Sequence, residues 1–184
     1  MQLRKLGIGI ATTAVFVAGL WAGIGSAGWG ADTQAVGYTA ALTPGKEVPR
    51  PTGVRAGARG TFSAGLTRNG ARGTLAWKLT FRNLTGRANA AHIHLARPGV
   101  AGRVAVPLCG PCRSGAKGTA RVNARTVTAL LGGGAYVNVH TAKNAAGEIR
   151  GQIRKGGKPV PLPGDGGTTT GTTTTTDTEP PPYP

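Results

Sequence analysis

The chain has 184 residues, 32 of them Gly and only 5% aromatic, and a formal net charge of +16. That length suits one domain with room for tails, and a Gly-rich, aromatic-poor composition favours short strands and turns over a helical bundle. Between positions 37 and 154 stand eighteen Lys or Arg and two acids, Glu47 and Glu148, so a hydrolase built on paired carboxylates has one candidate pair and is disfavoured.

The charge excess has two readings. One is a solvated basic surface; the other is attraction to polyanions such as acidic wall polymers, anionic lipid or nucleic acid. The Arg residues are scattered singly, with no basic run and no aromatic interleaving, so specific nucleic-acid readout is not supported.

Residues 1–27 read as a secretory signal: Arg4 and Lys5, an apolar run over 6–24, then small residues at Gly25-Ser26-Ala27. Thr33-Gln34-Ala35 is a second cleavage candidate. The alternative is an uncleaved anchor, because the run approaches the ~20 residues that span a bilayer. No Cys directly follows the run, which argues against a lipoprotein. With cleavage, no stable membrane insertion is expected. A linker over 28–36 then leads to a domain over 37–155.

Within the domain, apolar alternation predicts strands over 38–42, 61–66 and 74–81. Residues 44–51, with three prolines, form a loop. Asn69-Gly70 signals a hairpin, since both residues tolerate positive φ. Trp77, in line with Leu75, Leu79 and Phe81, belongs to the core. Asn83-Leu84-Thr85 matches a short glycosylation sequon. Strands follow over 90–95, 104–106 and 118–122. Asn123 caps a short helix through 131, with Val127, Leu130 and Leu131 apolar and Gly132 ending it. Strands over 135–141 and 149–153 complete the sheet. About eight short strands predict an all-β fold, an antiparallel sandwich or barrel. Residues 156–184 turn to Gly, Pro and Thr and read as a disordered tail.

All three histidines fall on two of these strands. His92 and His94 share one face of theirs, with Ile93 on the other. Tyr136, Asn138 and His140 share a face, opposite Val137 and Val139. If Ile93, Val137 and Val139 point inward, His92, His94 and His140 look outward together. Imidazole suits copper and zinc, and three His form an open site that keeps a position for water or substrate. Tyr136, Asn138 or Glu148 would orient the rings. The competing reading is a hydrogen-bonded network bracing the strands, with Glu148 paired to Arg150 or another Arg.

Cys109-Gly-Pro-Cys112 has the thioredoxin spacing, but Arg113-Ser114-Gly115 is poor helix and no βαβ context surrounds it. A disulfide pinning a surface loop is expected, consistent with an oxidising compartment. No Gly-X-Ser-X-Gly elbow and no phosphate-cradling loop occurs.

Several elements together resemble one family: the Tyr-Thr-Ala-Ala-Leu strand, Glu47-Val48-Pro49, Ala91-His92-Ile93-His94, Tyr136-Val-Asn-Val-His140-Thr141 and Gly147-Glu-Ile-Arg-Gly151. The chain is similar to the CHRD domain over about 37–153. The resemblance implies an exported protein and a β-sandwich or Greek-key barrel, immunoglobulin-like or superoxide dismutase-like. It brings no settled biochemical activity. CHRD domains are also distantly similar to copper/zinc superoxide dismutases, whose copper ligands would match His92, His94 and His140. Those enzymes use a fourth His on copper and further zinc ligands, and their active-site Arg lies further past the last His than Arg150 does. Dismutation therefore does not transfer. The expected function is a non-enzymatic extracellular binding or structural module with a cell-envelope partner. A copper or zinc protein is one alternative, and a basic polyanion binder the other.

Overall fold

Period-two alternation sorts the strands of residues 35–164, the part of the chain that the computed structural model describes, into an inner and an outer face. The expected signal segment, most of the expected linker and the Thr-rich end of the chain lie outside the described residues. Nine strands form: β1 (Val36–Leu42), β2 (Arg59–Asn69), β3 (Arg72–Arg82), β4 (Ala88–Leu95), β5 (Arg103–Cys109), β6 (Ala116–Val122), β7 (Ala135–Thr141), β8 (Ile149–Gln152) and β9 (Arg154–Lys155). One helix, α1 (Ala124–Leu131), lies between β6 and β7.

The strands make two antiparallel sheets, five-stranded β6-β3-β2-β1-β9 and four-stranded β5-β4-β7-β8. β6 returns beside β3 and β7 beside β4, each over intervening strands, which is a Greek-key path through a sandwich. Phe62, Leu66, Leu75 and Leu79 from one sheet meet Ile93, Val137, Val139 and Ile149 from the other, all without solvent exposure. Each such side chain contributes roughly 1.5–3 kcal/mol through burial. Trp77 belongs to this core, as its alternation predicts.

The structure refines several expectations. The β2–β3 turn is the two residues Gly70-Ala71, between paired Asn69 and Arg72, and only Gly70 takes a positive φ (60°). Glycine at the first central position is the II′ hairpin pattern, so Asn69 ends a strand instead of shaping the turn. The predicted strand over 149–153 breaks at Ile153. That side chain turns into the core, and the chain leaves one sheet as β8 to join the other as β9. Asn123 caps α1 as expected, its Oδ1 accepting from Thr126 N at 3.0 Å. Val127 and Leu130 are buried, but Leu131 is 47% exposed. The sequon residue Asn83 has φ 57°, and its amide donates to the Ala56 carbonyl at 3.3 Å.

The Cys109–Cys112 disulfide forms. The bridge pins the exposed Gly110-Pro111 turn, as expected, and the buried Cys112 donates its N–H to the Ala88 carbonyl at 2.9 Å, which ties that turn to the start of β4. Order also runs past residue 155. Gly156 N donates to Gly37 O at 2.9 Å, and residues 157–160 cross the outer face of β1 and β2. A Cβ on Gly37 or Gly65 would collide with the Gly157 or Val160 carbonyl, 2.0 and 2.2 Å away, so those two glycines admit the crossing chain.

Candidate metal centre

β4 and β7 are neighbours, with His94 opposite Tyr136, His92 opposite Asn138 and Ala90 opposite His140. Ile93, Val137 and Val139 do point into the core, which sends all three histidines to the other face. That face is not the open exterior expected from alternation. Tyr136 and Asn138 are 2% exposed and His94 8%, while His92 and His140 are half-buried. Loops over 96–102 and 142–147 roof it, and alternation within a strand carries no information about what a loop will cover.

The three rings converge. One nitrogen from each lies within 4.8 Å of the other two. His92 Nδ1 is 3.1 Å from His140 Nε2. His94 Nδ1 lies 2.8 Å from the Gly102 carbonyl, and His140 Nδ1 2.9 Å from the Ala145 carbonyl. A carbonyl only accepts, so both rings carry their proton on Nδ1 and present a lone pair on Nε2. His94 Nε2 is buried without a partner. The donor set is therefore Nδ1 of His92 with Nε2 of His94 and His140. Bonds of ~2.0–2.1 Å to a tetrahedral ion place nitrogens ~3.3 Å apart, so the widest edge would close by ~1.5 Å. Burial holds His92 below the ordinary imidazole pKa, helped by the charges of His140 and His94. Burial also lowers His140, with the Ala145 carbonyl opposing and His94 adding. Both shifts favour the neutral ring, the form that ligates metal.

Backbone and side chains fix these orientations. The Tyr136 ring stacks on His94, with centroids 4.9 Å apart and planes 11° from parallel. The Arg150 guanidinium sits 3.4 Å over the other partner in that stack, the Tyr136 ring. Gly102 ties the stack together: its carbonyl takes the His94 proton while its N–H donates to Tyr136 Oη at 3.0 Å. A Cβ there would stand 2.3 Å from the Leu95 carbonyl, so only glycine lets the loop come this close.

Glu148 does not pair with Arg150. Its fully buried carboxylate accepts from Thr85 N at 2.7 Å, Thr141 Oγ1 at 2.6 Å and Asn144 Nδ2 at 3.2 Å, and also from Thr85 Oγ1. Glu148 and Arg150 flank Ile149, which points inward; Glu148 lies at the strand's mouth among loop donors, and Arg150 reaches the Tyr136 ring. Burial alone would raise the Glu148 pKa, but the hydrogen bonds from Thr141, Thr85 and Asn144 outweigh it, and the net shift is down. Asn144 in turn accepts from Thr52 N at 2.9 Å. Glu148 thus holds the loop that carries the Ala145 carbonyl, and through it the His140 ring.

The other acid, Glu47, which the sequence places in a proline-rich loop without a part in the histidine patch, is 2% exposed. Its Oε1 accepts from Val48 N at 3.0 Å, and its Oε2 occupies the space a Cβ on Gly147 would need, 2.3 Å away, beside Asn138. Burial raises its pKa, against the Val48 N–H, the Arg150 charge and Asn138. An acid flanked by prolines in a chain so poor in acids was the available signal for it. The Gly102 and Ala145 carbonyls left none, because any residue supplies a carbonyl.

Fold and site together define an all-β sandwich module with three imidazoles gathered on one roofed sheet face. The chain belongs to the CHRD family: the CHRD domain matches residues 38–153. CHRD domains occur in extracellular proteins, and among the described residues no helix is long and apolar enough to cross a membrane. No curated protein and no solved structure matches the chain.

Proposed function

We propose that this protein is an exported, non-enzymatic CHRD module that binds one copper or zinc ion through His92, His94 and His140. The observation that carries the reading is His94 Nε2, a buried acceptor without a donor, beside two further imidazole nitrogens. Leaving such an atom unsatisfied costs about 1–3 kcal/mol, and a bound cation removes that cost. The carbonyls on the far nitrogens of His94 and His140 are the outer-shell partners that metal-binding histidines use. The half-buried rims of His92 and His140 leave a path for entry and an open fourth position. The chain has three His in all, so a fourth imidazole ligand does not exist and turnover is not part of the proposal. Export follows from the basic and apolar segment at residues 1–27 and agrees with the disulfide.

The bracing reading also has an observation behind it, the 3.1 Å contact between His92 and His140. Calorimetric titration of metal-free protein with Cu(II) and with Zn(II) separates the two. Saturable binding of one ion, weakened at least ~10-fold by His92→Ala, supports the metal site. Equal uptake by both proteins leaves only the bracing network.

A further inference from the structure

The two acids between positions 37 and 154 are both buried, so every exposed formal charge on that span is positive. Those charges are not evenly spread. On the outer face of the five-stranded sheet, Arg59 stands directly opposite Arg82 and Lys78 directly opposite Lys117. Arg121 and Arg72 continue the face toward the β2–β3 turn, and all six side chains are exposed. Like charges set directly across a ladder destabilise a sheet. Nothing in the fold requires them, since Ser, Thr or Glu would serve on a solvated face. A local rule broken twice on one face without a structural gain points to function.

Two clefts open at the Arg59–Arg82 end of this face. One cleft of about 480 Å³ is lined by Arg59, Thr61, Thr80, Phe81, Arg82 and Ser114. A second of about 410 Å³ shares Phe81 and Ser114 and adds Arg87 and Arg113. Arg59, Arg82, Arg87 and Arg113 therefore border two clefts that meet at Phe81 and Ser114. Ser114 Oγ accepts from Phe81 N at 2.9 Å, which leaves its proton free to donate outward.

We propose that this face docks a linear phosphodiester polymer without bases, running from the Arg59–Arg82 groove along β3. Phosphate follows from the guanidinium forks and the free hydroxyl, which match its oxygens. A polymer follows from spacing: Arg82, Lys78 and Arg72 recur at ~14 and ~20 Å along the strand, beyond the reach of a small anion. Base recognition is disfavoured because the one aromatic side chain lining these clefts, Phe81, is half-buried and packs against the core, which leaves no exposed ring to stack a base. This site is separate from the histidines, which lie on the other sheet.

The test uses the full chain and poly(glycerol phosphate) as the probe, with single-stranded DNA, poly-glutamate and anionic vesicles as competitors. Binding should weaken steeply with salt. The double variant Arg82→Ser/Lys117→Ser should weaken it at least ~10-fold and flatten the salt slope by about 1–2. Arg97→Ser/Lys143→Ser, which removes the same charge from the loops on the other sheet, should change it less than ~2-fold. Both variants should melt no lower than the parent, which excludes misfolding as the cause. Equal loss from both variants overturns the proposal in favour of net-charge attraction. Tighter binding of DNA, poly-glutamate or vesicles overturns it in favour of those partners. The last twenty residues carry Asp165, Asp177 and Glu179. If poly(glycerol phosphate) binds only after those residues are removed, the face belongs to the chain's own tail and the proposal fails.

Discussion

The sandwich has two outer faces, and they treat polar side chains in opposite ways. On the four-stranded sheet, loops roof the histidine face, and its buried groups are held by named partners: Gly102 for His94, Ala145 for His140, and three side chains with one backbone N–H for Glu148. On the five-stranded sheet, lysine and arginine pairs of one sign stand bare in register. Covering a polar face requires that each group be satisfied, because an orphan in low dielectric is costly. A bare face tolerates repulsion, because water and salt screen it. The few exceptions on the covered face, chiefly His94 Nε2, are therefore informative, whereas on the bare face the pattern of charges is.

The sharpest test of the covered face is along one strand. Ile93→Ala, on the core side of β4, should cost about 2–5 kcal/mol in urea denaturation. His92→Ala, its neighbour on the other side, should cost no more than ~1 kcal/mol while weakening metal binding at least ~10-fold. Comparable losses from both would mean that the histidines serve packing, and the contrast between function and core would collapse.

Glu148→Ala comes next. It leaves donors from Thr85, Thr141 and Asn144 without an acceptor, so a loss of about 3 kcal/mol is expected. Because the same carboxylate holds the loop behind His140, metal affinity should fall as well, by ~10-fold or more. Unchanged affinity in a destabilised variant would separate the loop from the site.

Acid should act in two steps. His92 and His140 have lowered pKa values in the fold, so the stability they contribute is present above the ordinary imidazole value of ~6.5 and is lost as pH falls below it. Glu148 is also lowered, so its contribution is present above the ordinary carboxylate range and is lost as pH falls through its depressed value. Glu47, which burial raises, works in the opposite sense, so the steps are read best in a Glu47→Gln background. A melting temperature that stays level from neutral pH to below ~4 would contradict both assignments.

The smallest expected effect lies on the bare face. Lys117→Ser removes one like-charged cross-strand pair and should stabilise the fold by a few tenths of a kcal/mol at low salt, less at high salt. Destabilisation would show that the lysine stem packs instead of merely repelling.

Much of this was legible before any coordinates, because strands write themselves in period two. Leu75, Trp77 and Leu79 announced a buried face, Asn123 announced a helix start, and His92 and His94 announced a shared side. What stayed hidden depends on chain path. Neither the roof over Tyr136 and Asn138 nor the switch of sheets at Ile153 has a local signature, since both are set by where distant segments return. Two opposite charges two positions apart predict a Glu148–Arg150 pair. It does not form, because Thr85, some sixty positions earlier, donates to the carboxylate instead.

Spectroscopy on the copper-loaded protein tests the central claim most directly. Electron spin resonance of the Cu(II) form at one equivalent should show coupling to three imidazole nitrogens and lose one of them in His92→Ala. A spectrum of hydrated copper in the parent protein, or an identical signal in the variant, would contradict the account.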